Sequence, residues 1–284
     1  MNAHVTAGVI LGIVSACAIN WGYFLQHRSA TTLAPLSPRR PFRSLALLFR
    51  DRAWVVGFVG GIGGWALYVV ALKLAPLSVV QAASAGGIAL LALLVGRLSG
   101  RELAGVGLAA IGLVLLGLSL IGAAAPTGRG AWLSITMWMA ASIAAAGLAA
   151  GPLARLLAGG AGLGIAAGVL YAAGDVGTKA AVAGGWRLAF VPALLACHGF
   201  AFAAIQLGFQ RGGALATAGL ATLWTNALPI VAGTALFGES LPPGTRAVAR
   251  IAAFVCVLAG AVALARRNEA PSPGVESSLH PTTL

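Results

Sequence analysis

The chain has 284 residues, 59% of them hydrophobic and only 8% charged, with a formal net charge of +12. A mean hydropathy of +0.94 lies far outside the range of a soluble domain, so the composition predicts an all-α integral membrane protein with several spans. The basic residues are spread between apolar runs and form no aromatic and basic face, which excludes a nucleic-acid partner. The three cysteines lie in apolar runs without metal-ligand spacing, so the sequence predicts no disulfide, zinc site or cofactor.

Charged residues divide the chain into nine apolar stretches, each about 20 residues long, the length that crosses a bilayer as a helix. The predicted spans lie at 5–26, 53–73, 76–97, 103–124, 131–150, 161–182, 188–208, 214–237 and 246–265. The loop at 27–52 is rich in arginine, which marks it as cytoplasmic. Its arginines are Arg28, Arg39, Arg40, Arg43, Arg50 and Arg52. With nine spans the arginine bias places the N-terminus outside the plasma membrane and the C-terminus in the cytoplasm.

The cytoplasmic loop contains a segment with a pattern of its own. Residues 42–52, FRSLALLFRDR, are predicted to form an ordinary cytoplasmic loop, and a short basic amphipathic segment that lies on anionic lipid is the alternative. The stretch at 268–284 is polar and contains proline, which predicts a disordered cytoplasmic tail.

Short matches relate the two halves of the chain. An LGI triplet near the N-terminus recurs at 163–165, and GRLSGRE at 96–102 resembles GTALFGE at 233–239. Five spans separate the corresponding helices, so two four-helix units of opposite orientation result, which is the inverted-topology repeat of secondary transporters. The predicted units are a first repeat at 1–124, a linking span at 125–157, a second repeat at 158–267 and the tail at 268–284. Glu102 and Glu239 end the matched segments at helix starts, where a carboxylate stabilises the positive end of the dipole.

The stretch that contains the sixth span, AGLGIAAGVLYAAGDVGTKAAVA, is interrupted by Asp175 and Lys179. A charged side chain at the centre of a membrane helix costs about 2.5–3.5 kcal/mol on insertion scales, so this side of the helix is expected to face protein or a water-filled cavity. Asp175 is predicted to bind a substrate, an ion or a proton. Pairing of the two charges across one helical turn is the structural alternative, and Lys179 can also extend its stem to the interface.

Further candidates follow from helical spacing around this aspartate. Gly164, Gly168 and Tyr171 align with Asp175, so the small residues of this stripe are expected to pack against another helix and its polar half to form a site. His198 lies near the middle of the seventh span, where it is a candidate proton relay with neutral core packing as the alternative.

Polar residues in three other spans are weaker candidates for the same site. Thr222, Thr225 and Asn226 lie in the eighth span, where Pro229 frees a backbone carbonyl and local unwinding is one way to form a site. Hydrogen bonding between helices explains these residues equally well, and no set of metal ligands is assigned. Gln81 in the third span and Asn20 in the first are further candidates, with hydrogen bonding between helices as the alternative role.

Several segments resemble the drug/metabolite transporter superfamily with its EamA-type repeat: ALKLAPLSVVQ, GRELAGVGLAAIGLVLLGL and GESLPPGTRAVARIAAFVCVLAGAVAL. The likeness covers most of 5–266. Within the superfamily, YFLQHR and GPLARLLAGGAGLGIAAGVLYAAGDVGTKAAV are most similar to the NIPA-type magnesium transporters, and Lys179 falls where that pattern carries a lysine. The resemblance implies a helical transporter fold, while the superfamily's substrates range from sugars and amino acids to nucleotides, drugs and cations.

We therefore expect a secondary transporter that moves a small solute across the plasma membrane by alternating access, with proton coupling, and we do not expect an enzyme. A NIPA-like magnesium or divalent-cation transporter is the first alternative, although a single deep carboxylate supplies few of the oxygen ligands that magnesium needs. A non-transporting membrane scaffold is the second alternative. The expected partners are the solute or ion and the lipid bilayer, and the glycines Gly57, Gly61 and Gly64 permit close helix contacts within the bundle or in a homodimer.

Overall fold

The computed structural model describes residues 3–37, 39–84, 86–96, 98–119, 128–238 and 244–265, and all regular secondary structure in these ranges is helical. The α-helices in chain order are α1 Ala3–Ala30, α2 Pro41–Arg50, α3 Arg52–Leu74, α4 Leu77–Ala83, α5 Gly86–Val95, α6 Gly100–Ser119, α7 Trp132–Ala150, α8 Ala161–Ala181, α9 Val191–Phe209, α10 Leu220–Phe237 and α11 Thr245–Ala265. Short 3-10 turns at Leu153–Leu156 and Gly185–Phe190 precede α8 and α9, and a π-helical turn at Leu215–Gly219 precedes α10.

Seven helices in the described ranges are long and apolar enough to cross a membrane, by length and composition. They are Ala3–Ala30, Arg52–Leu74, Trp132–Ala150, Ala161–Ala181, Gly185–Phe209, Leu215–Phe237 and Thr245–Leu264. The predicted all-α membrane class is confirmed at this level. The third predicted span is divided between α4 and α5, and the fourth corresponds to α6, which is described as far as Ser119. The count of nine spans and the inverted repeat therefore stay predictions.

Helix α8 is the centre of the bundle, since 18 of its 21 residues are buried. It packs against α7, α9 and α10, and its glycines allow the closest of these contacts. A Cβ atom on Gly168 would lie 2.6 Å from the carbonyl oxygen of Ala221, and one on Gly164 would lie 2.9 Å from that of Ala216. The prediction that the small residues of this stripe face another helix at close range is confirmed.

Helices α1 and α3 form a second close pair. A Cβ atom on Gly22 would lie 2.5 Å from the carbonyl oxygen of Gly57, and one on Gly64 would lie 2.9 Å from that of Ser15. Such short distances leave no room for a side chain, so glycine at these positions sets the separation of the two helices. The predicted close helix contacts at Gly57 and Gly64 are thus found within the bundle.

Helix α6 packs against α11, and its start has a capping box. The backbone amide of Ser99 donates to Glu102 Oε2 at 2.9 Å, and the amide of Glu102 donates to Ser99 Oγ at 3.2 Å. The predicted capping role of Glu102 is confirmed. Glu239 and the tail at 268–284 lie outside the described residues.

The arginine-rich connection between α1 and α3 contains the helix α2. The Gln210 side chain at the end of α9 accepts a hydrogen bond from the Leu36 amide at 2.7 Å and donates to the Ala34 carbonyl at 3.1 Å. Asp51 caps α3 by accepting from the Trp54 amide at 2.7 Å, and it accepts from the Ser29 hydroxyl at 2.8 Å. Because Pro41–Arg50 is helical, the favoured interpretation of 42–52 as an ordinary loop is wrong for its conformation, and the helical alternative is correct.

Candidate functional site

A cavity of about 470 Å³ lies between α1, α3, α4, α8, α9 and α10, with α2 at its edge. Pockets for small molecules have volumes of about 300–1,000 Å³, so this cavity is large enough for one. Its lining includes eight predicted site residues: Asn20, Gln81, Tyr171, Asp175, His198, Thr222, Thr225 and Asn226. The ninth, Lys179, is not among the lining residues.

Asp175 is the buried acid of this cavity, with 4% of its surface exposed. Gln81 Nε2 donates to Asp175 Oδ2 at 2.9 Å and also contacts the Tyr68 hydroxyl oxygen at 2.6 Å. The Tyr68 hydroxyl itself hydrogen-bonds to the carboxylate. His198 Nε2 lies 3.6 Å from Asp175 Oδ1. The carboxylate is therefore held by groups from α3, α4 and α9.

His198 is oriented by its own helix and by a glycine opposite. Its Nδ1 atom lies 2.8 Å from the Leu194 carbonyl oxygen, and since that oxygen can only accept, Nδ1 carries a proton. The imidazole ring lies against Gly174, where any Cβ atom would collide with it. The rings of Trp65 and Tyr171 flank it edge-on, each with its centroid 5.6 Å away. Only Nε2 is thus left to face the carboxylate.

Lys179 points to the end of α3. Its ammonium group donates to the carbonyl oxygens of Leu72 at 2.9 Å and Ala75 at 3.1 Å. These are orphan acceptors at a helix C-terminus, where a cation is stabilised by the helix dipole. The sequence analysis gave pairing with Asp175 as one possible role of this lysine. The observed hydrogen bonds give it a different role, because they join α8 to the end of α3.

The polar residues of α10 connect this helix to α1. The Thr222 hydroxyl donates to Asn20 Oδ1 at 3.0 Å, and Asn20 Nδ2 donates to the Ala16 carbonyl at 2.9 Å. Asn226 Nδ2 donates to the Thr222 carbonyl at 2.7 Å, whereas its Oδ1 is buried with no hydrogen-bond partner among the described residues. The Asn226 side chain lines the cavity, and its Oδ1 is a buried acceptor without a partner among the described residues.

The expected unwinding at Pro229 is wrong, because α10 continues through this residue from Leu220 to Phe237. The irregular turn lies earlier, at Leu215–Gly219, where the helix is π-helical. Thr225 is therefore placed by a regular helix, and its hydroxyl lies 3.3 Å from the Gly168 carbonyl on α8.

Helix α3 supplies a set of lining residues that the sequence interpretation missed. Phe58, Trp65 and Tyr68 line the cavity, and Trp54 stacks on Phe58 with ring centroids 5.1 Å apart. The signal was present in the sequence, since these aromatic residues recur at helical spacings of three, four and seven. It was missed because the glycines of the same span directed the interpretation to helix packing.

A buried polar cluster lies beside the cavity at the end where α3 begins. Trp54 Nε1 donates to Gln206 Oε1 at 2.9 Å, and Gln206 Nε2 donates to Gln26 Oε1. All three side chains are buried. Phe49 of α2 packs against Trp54 with centroids 5.0 Å apart. The cluster joins α1, α3 and α9.

Comparison with protein-family models, with curated proteins and with solved structures finds no match for this chain. The fold and the cavity define a helical membrane protein with a buried polar site, and the resemblance to a transporter superfamily stays a prediction.

Proposed function

We propose that the protein is a secondary transporter that exchanges protons for a small organic solute. The observation that carries this proposal is the contact between Asp175 and His198, 3.6 Å apart, inside a cavity among helices of membrane-spanning length. A buried carboxylate at membrane depth is costly and is found where protons, ions or substrates bind.

The geometry of the pair supports the binding of one exchangeable proton. Because Nδ1 of His198 donates to a carbonyl, a neutral imidazole and an ionised Asp175 would turn two acceptors toward each other. A proton between them removes this repulsion, on either the carboxyl or the imidazole. The pair is then neutral in total, and loss of the proton leaves one negative charge.

This charge change favours a cationic solute as the exchange partner. A positively charged solute binds the deprotonated pair better than the neutral one, so solute and proton compete, and linkage requires each to weaken the other's binding. The aromatic rings of Tyr23, Trp65 and Tyr171 line the same cavity, where a cation over a ring face gains further attraction. An organic amine with an apolar body fits this lining.

The packing of the helices supports alternating access by two related units. Helix α1 contacts α3, α4 and α5, α8 contacts α9 and α10, and α6 and α11 contact each other. This is the arrangement expected of two four-helix repeats that face one another, with α7 as the linking span. We include nine spans, a plasma-membrane location, an external N-terminus and membership of the drug/metabolite superfamily in the proposal.

A hydrated divalent cation is the second candidate, because Asp175 and Asn226, which both carry side-chain oxygen atoms, line one cavity. In the described part of the chain no three His, Cys, Asp or Glu side chains converge as metal ligands. Magnesium would therefore bind through its water shell. A membrane scaffold, the remaining alternative, needs neither ligand nor proton.

The test is a melting-temperature screen of the purified protein against organic amines, other metabolites and Mg²⁺, followed by uptake of each stabilising compound into proteoliposomes. With an acidic interior, wild-type protein should accumulate an amine, and Asp175→Asn should reduce this uptake at least about ten-fold because the pair can no longer acquire the negative charge. Glu102→Gln, a carboxylate-to-amide change at the start of α6, is the matched control. Magnesium uptake that does not depend on pH and is unchanged in Asp175→Asn would refute proton exchange. A screen in which no compound raises the melting temperature would favour the scaffold.

A further inference from the structure

Helix α2 carries an apolar stripe that the bundle covers only in part. Phe42, Leu45 and Phe49 are 84%, 40% and 51% exposed, and together with Ala46 they recur at spacings of three and four, so they share one face. Leu48 is 3% exposed and packs inward from the other side of the helix. Phe42 and Ala46 therefore point away from the protein, whereas Leu45 and Phe49 lie at the edge of the cavity and are only partly covered by it.

Arginines border this stripe on the helix and at both of its ends. Arg43 and Arg50 lie about a quarter turn from the apolar residues, and Arg39, Arg40 and Arg52 flank the helix; all five are exposed. None of these arginines forms an ion pair with a described carboxylate. An apolar face bordered by cations is the pattern of a helix that lies in the membrane interface.

The helix is attached to the bundle at the edge of the cavity. Leu45 and Phe49 line the cavity, and the Phe49 ring packs 5.5 Å from that of Phe58 on α3. The Ser44 hydroxyl accepts from the Ser37 amide at 2.9 Å, which fixes the turn before α2. A ligand that binds the outer face of α2 therefore contacts the helix that forms part of the cavity wall.

We propose that α2 and its five arginines bind anionic phospholipid on the arginine-rich side of the membrane. The phosphate groups accept from the guanidinium groups, and the stripe around Phe42 lies between acyl chains. The bound lipid stabilises the position of Leu45 and Phe49 at the cavity. This inference is independent of whether the cavity transports a solute.

A second copy of the chain fits this surface less well. A helix of ten residues is about 15 Å long, so two copies joined through α2 would bury far less than the roughly 1,200–2,000 Å² of a stable interface. The arginines of the two copies would also repel each other, whereas the surface of an anionic leaflet complements their charge.

The test follows the melting temperature of the full-length protein in detergent during titration with phosphatidylglycerol or with phosphatidylcholine. The wild type should be stabilised by the anionic lipid at much lower concentration than by the zwitterionic one. Arg40→Gln with Arg43→Gln should need about 30-fold more phosphatidylglycerol, since each arginine near an anionic surface contributes roughly a five-fold gain in affinity. The matched control is Arg155→Gln with Arg211→Gln, which removes two exposed charges from the same end of the bundle but none from the α2 surface, so it should lose much less affinity for phosphatidylglycerol than the first variant.

Several results would overturn the proposal. They are equal responses to the two lipids, an equal loss in the control variant, or the same stabilisation by inorganic phosphate, which would indicate simple anion binding. Stabilisation that rises with protein concentration in the absence of lipid would assign the face to a second copy. If the first variant does not give a monodisperse protein, Arg39→Gln with Arg50→Gln removes two other charges of the same surface and should show the same loss.

Discussion

The proposed proton site depends on a residue with no side chain. Gly174 precedes Asp175 by one position, and the imidazole of His198 occupies the volume that a Cβ atom would take there. A larger residue would push the ring away from the carboxylate and leave a buried acid without its basic neighbour. The chemistry of the pair is thus fixed by close packing between α8 and α9 as much as by the two titratable groups.

Asp51 is a second acid whose state depends on its neighbours, and it lies outside the spans. Hydrogen bonds from the Trp54 amide, and then from the Ser29 hydroxyl, lower the pKa of Asp51 from its ordinary value. A lowered folded-state pKa means that the stabilisation is present above the unfolded pKa of about 3.9 and is lost as the pH falls through the folded one. We expect wild-type protein to lose about 1 kcal/mol more than Asp51→Asn on acidification below about pH 4, the magnitude of an N-cap. Melting temperatures of both proteins at pH 7 and pH 3 measure this, and equal losses would contradict it.

Sequence reasoning found both members of the Asp175 and His198 pair but could not join them. Each is conspicuous as a polar residue in an apolar span, and the lone carboxylate required a polar environment. Their contact depends on the rotation of α9 relative to α8, which no local pattern encodes. Lys179, one turn from Asp175, was the nearer partner in sequence, yet the free carbonyls at the end of α3 accept its hydrogen bonds.

At the scale of the helix, α3 performs two tasks on two faces. One face carries the aromatic residues of the cavity wall, and the other carries the glycines that meet α1. The close packing at the glycines was predictable, because small residues at helical spacing commonly allow close contact between membrane helices. The interruption between α4 and α5 also had a signal in the sequence, the pair Gly86 and Gly87 after Ser84, which the interpretation of 76–97 as one span did not use.

Adjacent glycines of α3 offer a test of this division. A Cβ atom on Gly64 would lie 2.8 Å from Ile19 Cγ1 and 2.9 Å from the Ser15 carbonyl oxygen, whereas one on Gly63 would have no neighbour within 4 Å. Gly64→Ala should therefore lower the free energy of unfolding by about 1–3 kcal/mol through overpacking. Gly63→Ala should leave it unchanged or raise it by up to about 1 kcal/mol, because alanine favours the helix. Melting in detergent compares the two, and an equal effect of both changes would contradict the observed rotation of α3.

At the scale of the whole molecule, we expect charge to set the orientation in the membrane. The arginines of the connection between α1 and α3 lie at the same end of the bundle as Arg211 after α9, and the positive-inside rule predicts that this end faces the cytoplasm. Reporter fusions at residue 45 and at the C-terminus should both report the cytoplasm, and a fusion at the N-terminus should report the exterior. An external C-terminus would refute the nine-span arrangement.

Different contacts join the helices toward the two ends of the cavity, and this arrangement suits alternating access. Where α3 ends, Lys179 holds α8 to α3, and where α3 begins, Gln206 joins Trp54 to Gln26. A transporter that opens each side in turn must break one set of contacts while it keeps the other. A hydrogen bond to a charged group contributes about 1.5–3 kcal/mol, so removal of the lysine should raise the population open on that side roughly ten-fold or more.

The accessibility of a cysteine in the cavity measures these populations separately. Ser84→Cys, in a background without the three native cysteines, places a thiol at the lining, and a membrane-impermeant maleimide is applied from either side of oriented vesicles. Lys179→Met should increase labelling from the side where α3 ends, which the arginine bias makes the exterior. Gln206→Leu should increase labelling from the opposite side, because it removes the hydrogen bonds to Trp54 and Gln26. If the cysteine is labelled equally from both sides in both variants, the Lys179 contacts and the Gln206 contacts do not act as separate gates. Alternating access by these contacts would then be refuted.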